Sequence, residues 1–175
     1  MSAAASTTLS LPDREELASP FGMLHHVALI TNDMPATVAF YRDVLGSEVA
    51  LAHRLDRPDQ ARHYFITVAP NVVFAFFEFP DAELPGFAEA TVAKSGRALD
   101  HICFFVETAA QLDAWHEKLQ AADVPIHGYA PGANLFFPDP NHIIFQVSVA
   151  PPGGVMGFPV HADPDPAYAP PATQG

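Results

Sequence analysis

At 175 residues, 49% of them apolar and 16% charged, the chain is long enough to bury one proper core and too short for two large domains. Eight Lys and Arg against 20 Asp and Glu give a formal charge of −12, which excludes a nucleic-acid partner, because phosphate binding needs clustered basic side chains. The longest apolar runs, VVFAFF (72–77) and ICFFV (102–106), are far short of a membrane span, so a small molecule or another protein is the expected partner.

Residues 1–20 lack sustained periodicity and read as a loosely docked N-terminal arm. They show no basic segment followed by an apolar stretch, so no signal peptide is expected. The single cysteine, Cys103, excludes an intrachain disulfide and reads as core filler, and a cytoplasmic location is expected.

One compact domain is expected over 21–150. It opens with LHHVALITND (24–33), read as a strand, and continues into an amphipathic helix with Asp33 as N-cap and Gly46 just past its end. Val38, Tyr41, Val44 and Leu45 recur at helical spacing along one core-facing stripe. Strand-like runs follow at 47–53, 62–69 and 72–79, with Pro70-Asn71 as the last turn; these close a first module over 21–80. A connector over 81–97 leads to a second module, 98–150. Here LDHICFFV (99–106) is the strand, and Thr108 with Gln111 makes a capping-box pattern for the helix. Strands are expected at 124–128, 134–137 and 143–149, with PDPN (138–141) as a turn. The tail from 151 to 175 is rich in Pro, Ala and Gly, disfavours helix and sheet, and suits an extended wrap around a neighbour.

The two modules are a repeat. Residues 24–46 align with 99–121 at an offset of 75, so that Leu24 meets Leu99, His26 meets His101, Ala39 meets Ala114 and Phe40 meets Trp115. Each copy reads β-α-β-β-β. A histidine duplicated at one register points to a site, which selects His26 over its neighbour His25. In a strand the two would face opposite ways, so His25 is read as structural.

With HHVALITNDMPATVAFYRDVLG, LDHICFFV and FFPDPNHIIFQV set in paired modules, the chain resembles the vicinal oxygen chelate superfamily of glyoxalases, bleomycin and fosfomycin resistance proteins, epimerases and extradiol dioxygenases. The likeness covers about 25–149. It implies an α+β fold in which two β-α-β-β-β modules form a cup-shaped mixed sheet around one divalent metal. Ligands in such a cup come from the first and last strands of each module, which carried over by position implies His26, Glu78, His101 and Gln146. The family's turn and last strand read D-P-D-G-N-x-I-E; here Gln146 stands at the Glu position and His142 at the Gly position. Setting Pro70-Asn71 on Pro140-Asn141 puts Phe76 opposite Gln146, and Glu78 two residues on is the only carboxylate in that strand.

Two imidazoles and a carboxylate with open positions suit Fe(II) first, then Mn(II), Zn(II) or Ni(II). His63, Tyr129 and His142 are the candidate acid–base groups beside the metal. Phe74, Phe76, Phe105 and Phe137 are candidates to line an apolar pocket for an aromatic ligand. Three functions follow from the resemblance. With His26, His101 and Glu78 as a triad, an Fe(II) extradiol-type dioxygenase of a small aromatic or enediol substrate ranks first. A glyoxalase- or epimerase-like isomerase or lyase ranks second, because Gln146 cannot act as a base, and a metal-free binding or resistance protein third. A homodimer is compatible with all three.

Overall fold

The computed structural model describes residues 24–84 and 99–150; the expected arm at 1–20, tail at 151–175 and most of the 81–97 connector lie outside the described residues. The described elements are β1 (Val27–Thr31), α1 (Met34–Ala39, continued as a π-helical stretch over Phe40–Leu45), β2 (Glu48–Arg54), β3 (Arg62–Ala69), β4 (Val72–Glu78), β5 (Ile102–Val106), α2 (Ala109–Ala121), β6 (Gly128–Ala130), β7 (Asn134–Pro138) and β8 (Ile144–Val149). They form two four-stranded sheets, ordered β1-β4-β3-β2 and β5-β8-β7-β6. The fold is α+β, and each sheet with its helix is one β-α-β-β-β module.

Local chemistry sets the element ends. The Asp33 carboxylate accepts from Ala36 N at 2.9 Å and starts α1, while Gly46 ends the helical stretch in the left-handed region (φ 80°) that a side chain would strain. Thr108 and Gln111 form the reciprocal capping box that starts α2. In each module the first and last strands run parallel, which requires a crossover, and the helix supplies it.

Register fixes two faces per sheet. In the first module Leu29, Thr31, Ile66, Phe74, Phe76 and Glu78 share the inner face, and Ala28, Ile30, Phe65, Ala75 and Phe77 share the outer one. In the second, Phe104, Leu135, Phe137, Phe145 and Val147 face inward, whereas Cys103, Phe105, Asn134, Phe136, Gln146 and Ser148 face outward. The modules join through the inner faces. Phe74 meets Phe104 and Phe145 at ring-centroid distances of 6.5 and 6.1 Å, and Tyr41 meets Phe145 at 6.1 Å. A buried polar cluster crosses the same junction: Tyr41 Oη donates to Asp139 Oδ2 at 2.9 Å, and Asn141 Nδ2 donates to Asp139 Oδ2 at 3.0 Å and to Thr37 Oγ1 at 3.2 Å. The PDPN turn is therefore a module-joining device, with Asp139 Oδ1 also accepting from the Asn141 and Ile143 amides.

The structure corrects several expectations. β1 and β5 begin at Val27 and Ile102, three residues later than read, and the strand expected at 124–128 is instead β6 at Gly128–Ala130. Cys103 is exposed on an outer face, its Sγ 3.4 Å from Ser148 Oγ, and fills no core. Phe74 and Phe76 belong to the inner core, whereas Phe105 and Phe137 line a mostly apolar cavity with Leu45, Trp115 and Phe145; the outward phenylalanines are Phe65, Phe77, Phe105 and Phe136.

Candidate functional site

The duplicated histidines occupy matching places. Each stands immediately before its module's first strand, and each has its ring edge-on to a phenylalanine of the third: His26 to Phe65 at 5.6 Å and 71°, His101 to Phe136 at 5.8 Å and 81°. Each has its Nδ1 held by the preceding residue. His26 Nδ1 shares a hydrogen bond with His25 Nδ1 at 2.7 Å, and His101 Nδ1 donates to Asp100 Oδ1 at 2.6 Å. A carboxylate on Nδ1 fixes the tautomer that leaves Nε2 as a lone-pair donor, the common support of a metal-bound imidazole. His25 is thus not on the face opposite His26. Both precede β1, where strand alternation does not govern them.

The last strands are not equivalent. Gln146 pairs with Cys103 and with Phe136, and the His101 ring packs against Phe136, so Gln146 lies on the same outer face as that histidine. Its Nε2 donates to Asn134 Oδ1 at 2.6 Å and to Ser148 Oγ at 2.8 Å. Both amide hydrogens are then used, which leaves Oε1 as the acceptor open to a ligand. The matching residue of the first module, paired with Ala28 two residues beyond His26, is Ala75, which offers no donor. Glu78 lies on the inner face, paired with Thr31, and is buried. Its Oε1 accepts from Met34 N at 3.0 Å and from Arg62 Nη1 at 2.9 Å. A carboxylate at the amino end of α1 and paired with a guanidinium has its charge met without a metal. The expected Glu78 ligand is on the wrong face to join His26.

Of the three acid–base candidates, one shares the face of His26. His63 is buried on β3, its ring stacked on Phe77 at 3.8 Å, with Nδ1 3.3 Å from His53 Nε2. Burial, then the neighbouring His53 and His26, hold its pKa below the ordinary imidazole value. Tyr129 points inward to α2, where its hydroxyl donates to Asp113 and its ring stacks on His116 at 3.8 Å, so it is remote from either outer face. His142 sits in the turn in the left-handed region (φ 61°), its N–H donating to Asp139 O at 3.0 Å. Sequence reasoning took His25 as structural and did not single out Asp100 or His53, which the structure places beside His26, His101 and His63. The first two were legible as immediate neighbours of the repeated histidines; His53 needed the β2–β3 register.

A divalent metal implied by the resemblance finds suitable donors but not a single-chain pocket. Among the described residues no three His, Cys, Asp or Glu side chains are grouped to hold a metal ion. His26 and His101 stand on outer faces, while the modules meet through inner ones. The His101 Nε2 lone pair, the His26 imidazole and the Gln146 amide oxygen are nevertheless donors of types that a divalent cation accepts.

Residues 23–147 match the family model described as the glyoxalase/bleomycin resistance protein/dioxygenase superfamily. No curated protein matches the chain. Among solved structures, a fosfomycin resistance protein, FosX, from Listeria monocytogenes, a variant complexed with Mn(II) and a dihydroxypropylphosphonic acid, is similar at 19% identity and TM-score 0.60, covering 75% of this chain and 95% of that one. A glyoxylase/bleomycin resistance protein/dioxygenase domain from Frankia sp. EAN1pec is similar at 20% identity and TM-score 0.59, covering 74% and 98%. A lactoylglutathione lyase from Agrobacterium tumefaciens is similar at 25% identity and TM-score 0.50, covering 75% and 96%.

Proposed function

Since the chain belongs to the glyoxalase/bleomycin resistance protein/dioxygenase superfamily, we propose that it is a divalent-metal-dependent enzyme acting on a small oxygen-bearing molecule, its site shared between two copies. His26 of one copy faces His101 and Gln146 of the other. The observation that carries this reading is the matched pair of His25–His26 and Asp100–His101, each presenting an outer-face imidazole whose Nδ1 is already engaged.

The chemistry follows from the donor charges. Two neutral imidazoles and an amide leave the charge of a bound divalent ion undiminished, so the ion supplies electrophilic polarisation of a carbonyl, epoxide or enediolate oxygen. Gln146, held by Asn134 and Ser148, presents its Oε1 in a fixed direction. Phe65 and Phe136 pack against the two imidazoles and help to orient them. This favours isomerase- or lyase-type chemistry, as does the inward place of Glu78, whose carboxylate the dioxygenase triad required. An Fe(II) dioxygenase of an aromatic substrate is the second reading, supported by the outward Phe65, Phe77, Phe105 and Phe136.

Complementation tests the shared site. His26→Ala and His101→Ala should each lose the metal. Mixed, unfolded and refolded together, they should regain about a quarter of the wild-type metal, because half of randomly re-formed isologous pairs carry one intact site of two. No regain in a mixture that forms pairs would exclude a site shared between copies.

A further inference from the structure

Three polar side chains on the second module's outer face close a ring of hydrogen bonds. Gln146 Nε2 donates to Asn134 Oδ1 at 2.6 Å and to Ser148 Oγ at 2.8 Å, and Ser148 Oγ donates to Asn134 Oδ1 at 2.7 Å. Strand register builds the ring: Asn134 on β7 pairs with Ser148 on β8, and Gln146 stands two residues back on the same face. Both Gln146 amide hydrogens, the serine hydrogen and both lone pairs of the asparagine oxygen are then in use. Two groups remain outside the ring. One is Gln146 Oε1; the other is Asn134 Nδ2, which makes no hydrogen bond among the described residues.

The two amides are tied to one another. Turning one of them alone would set two oxygens or two nitrogens face to face at 2.6 Å, so the pair turns together or not at all. Gln146 and Ser148 are buried, and a broken ring would leave their polar atoms without partners. The ring therefore presents one carbonyl oxygen and one NH2 group side by side. Asn134 is half-buried, so its nitrogen is open to a ligand. Phe136, two residues along β7 on the same face, carries the His101 ring edge-on at 5.8 Å, which puts this nitrogen and that imidazole on one surface. Holding Gln146 needs only an acceptor at position 134. The amide adds a donor that the ring does not use.

We propose that Asn134 is a substrate-binding residue of the shared site, donating from Nδ2 to an anionic oxygen of the substrate while Gln146 Oε1 faces the metal. This rests on the shared-site reading and narrows its substrate to the class whose oxygen is or becomes anionic, such as an enolate, an enediolate or a hydroxamate. The rigid amide pair supplies that oxygen with a hydrogen bond of fixed direction.

The test uses the full chain loaded with zinc and titrated calorimetrically with acetohydroxamate, an anionic oxygen donor that binds zinc. About 1 M salt, with a Debye length of about 3 Å, screens effects of charge alone. Zinc affinity is measured separately by competition with a chromophoric chelator. Asn134→Asp keeps an oxygen that accepts from Gln146 and Ser148, locks the ring in its present sense and removes the two unused hydrogens. It should hold zinc at least as tightly as the wild type and bind acetohydroxamate about tenfold or more weakly, the loss expected of a hydrogen bond to a charged group. Asn134→Ala removes the donor without adding charge, and at saturating zinc it should also lose about tenfold in acetohydroxamate affinity. Wild-type acetohydroxamate affinity in either variant, folded and zinc-loaded, would overturn the proposal. Loss of zinc from Asn134→Asp would overturn it too, because the carboxylate preserves every contact that the ring makes. A wild type that binds no zinc, or binds acetohydroxamate equally with and without it, defeats the shared-site reading itself and this inference with it.

Discussion

Tyr41 of the first module donates its phenolic hydrogen to Asp139 of the second at 2.9 Å, inside the junction that holds the two sheets together. Tyr41 is fully buried and touches Phe74, Phe76 and Phe145, so the bond and the aromatic cluster reinforce one another. Asp139 depends on it, because burial raises its carboxyl pKa while bonds from Asn141, Ile143 and Tyr41 oppose the rise. Tyr41→Phe keeps the ring and deletes one donor to a buried acceptor. Urea denaturation should show a loss of about 1–3 kcal/mol with an unchanged m-value.

The same pair sets an alkaline limit. Burial, followed by the Asp139 charge and hydrogen bond, raises the Tyr41 pKa well above its ordinary value. The folded state therefore holds a proton that the unfolded tyrosine releases near pH 10. Its contribution is fully present below about pH 10 and is lost as pH climbs from there towards the folded value. Stability measured from pH 8 to pH 11 should fall more steeply in the wild type than in Tyr41→Phe; parallel curves would count against a protonated Tyr41 in the junction.

Glu78 gives a prediction that separates structure from chemistry. Its Oε1 serves the Met34 amide and Arg62 on the inner face. Glu78→Gln keeps the size and removes the charge, so the loss should be about 1–3 kcal/mol, as for other hydrogen bonds to a charged group. Metal content, measured by atomic emission on protein purified without chelator, should stay at the wild-type level. A variant of normal stability that has lost its metal would put Glu78 back among the ligands.

The misplacement of Glu78 shows where sequence reading stops. The β-α-β-β-β repeat, the caps at Asp33 and Thr108, and the paired His26 and His101 were legible because capping chemistry and internal duplication are local or self-checking signals. The faces of β4 were not. VVFAFFE has no polar–apolar alternation, and a register slip of one residue exchanges the two faces of a strand. Matching Pro70-Asn71 to Pro140-Asn141 put Phe76 opposite Gln146, whereas the hydrogen-bonded register puts Ala75 there. That single residue moves Phe74, Phe76 and Glu78 inward. Tyr129 escaped for a related reason: β6 is only three residues long, and its place rests on pairing with β7.

The two histidines at the start of β1 should differ in degree. His26→Ala removes a proposed ligand and should abolish metal binding. His25→Ala leaves the ligand but frees its Nδ1, which is now bonded to His25 at 2.7 Å. Loss of such a support weakens metal affinity by about 10–100-fold. Asp100→Ala should act on His101 in the same way, since it removes the acceptor at 2.6 Å. Competition with a chelator of known affinity ranks the three variants, and equal, complete loss in His25→Ala and His26→Ala would make His25 a ligand in its own right.

Gln146→Glu tests the donor set directly. The amide now gives both hydrogens away, to Asn134 Oδ1 at 2.6 Å and Ser148 Oγ at 2.8 Å. A carboxylate there has nothing to donate, so the Asn134 amide must turn over to present its nitrogen, and a stability loss of about 1 kcal/mol is expected in the metal-free chain. The added negative charge converts a neutral donor set into an anionic one, so the bound ion should be held at least about tenfold more tightly against a chelator, as hard cations prefer carboxylate to amide oxygen. Its charge being partly neutralised, the ion should also polarise substrate oxygen less. Oxygen uptake with aromatic diols should stay at background in the wild type and the variant alike, as expected where the ion acts as an electrophile and not as a redox centre. Uptake matched to substrate loss in the wild type would instead establish the dioxygenase, and unchanged metal retention in Gln146→Glu would remove Gln146 from the site and leave only His26 and His101.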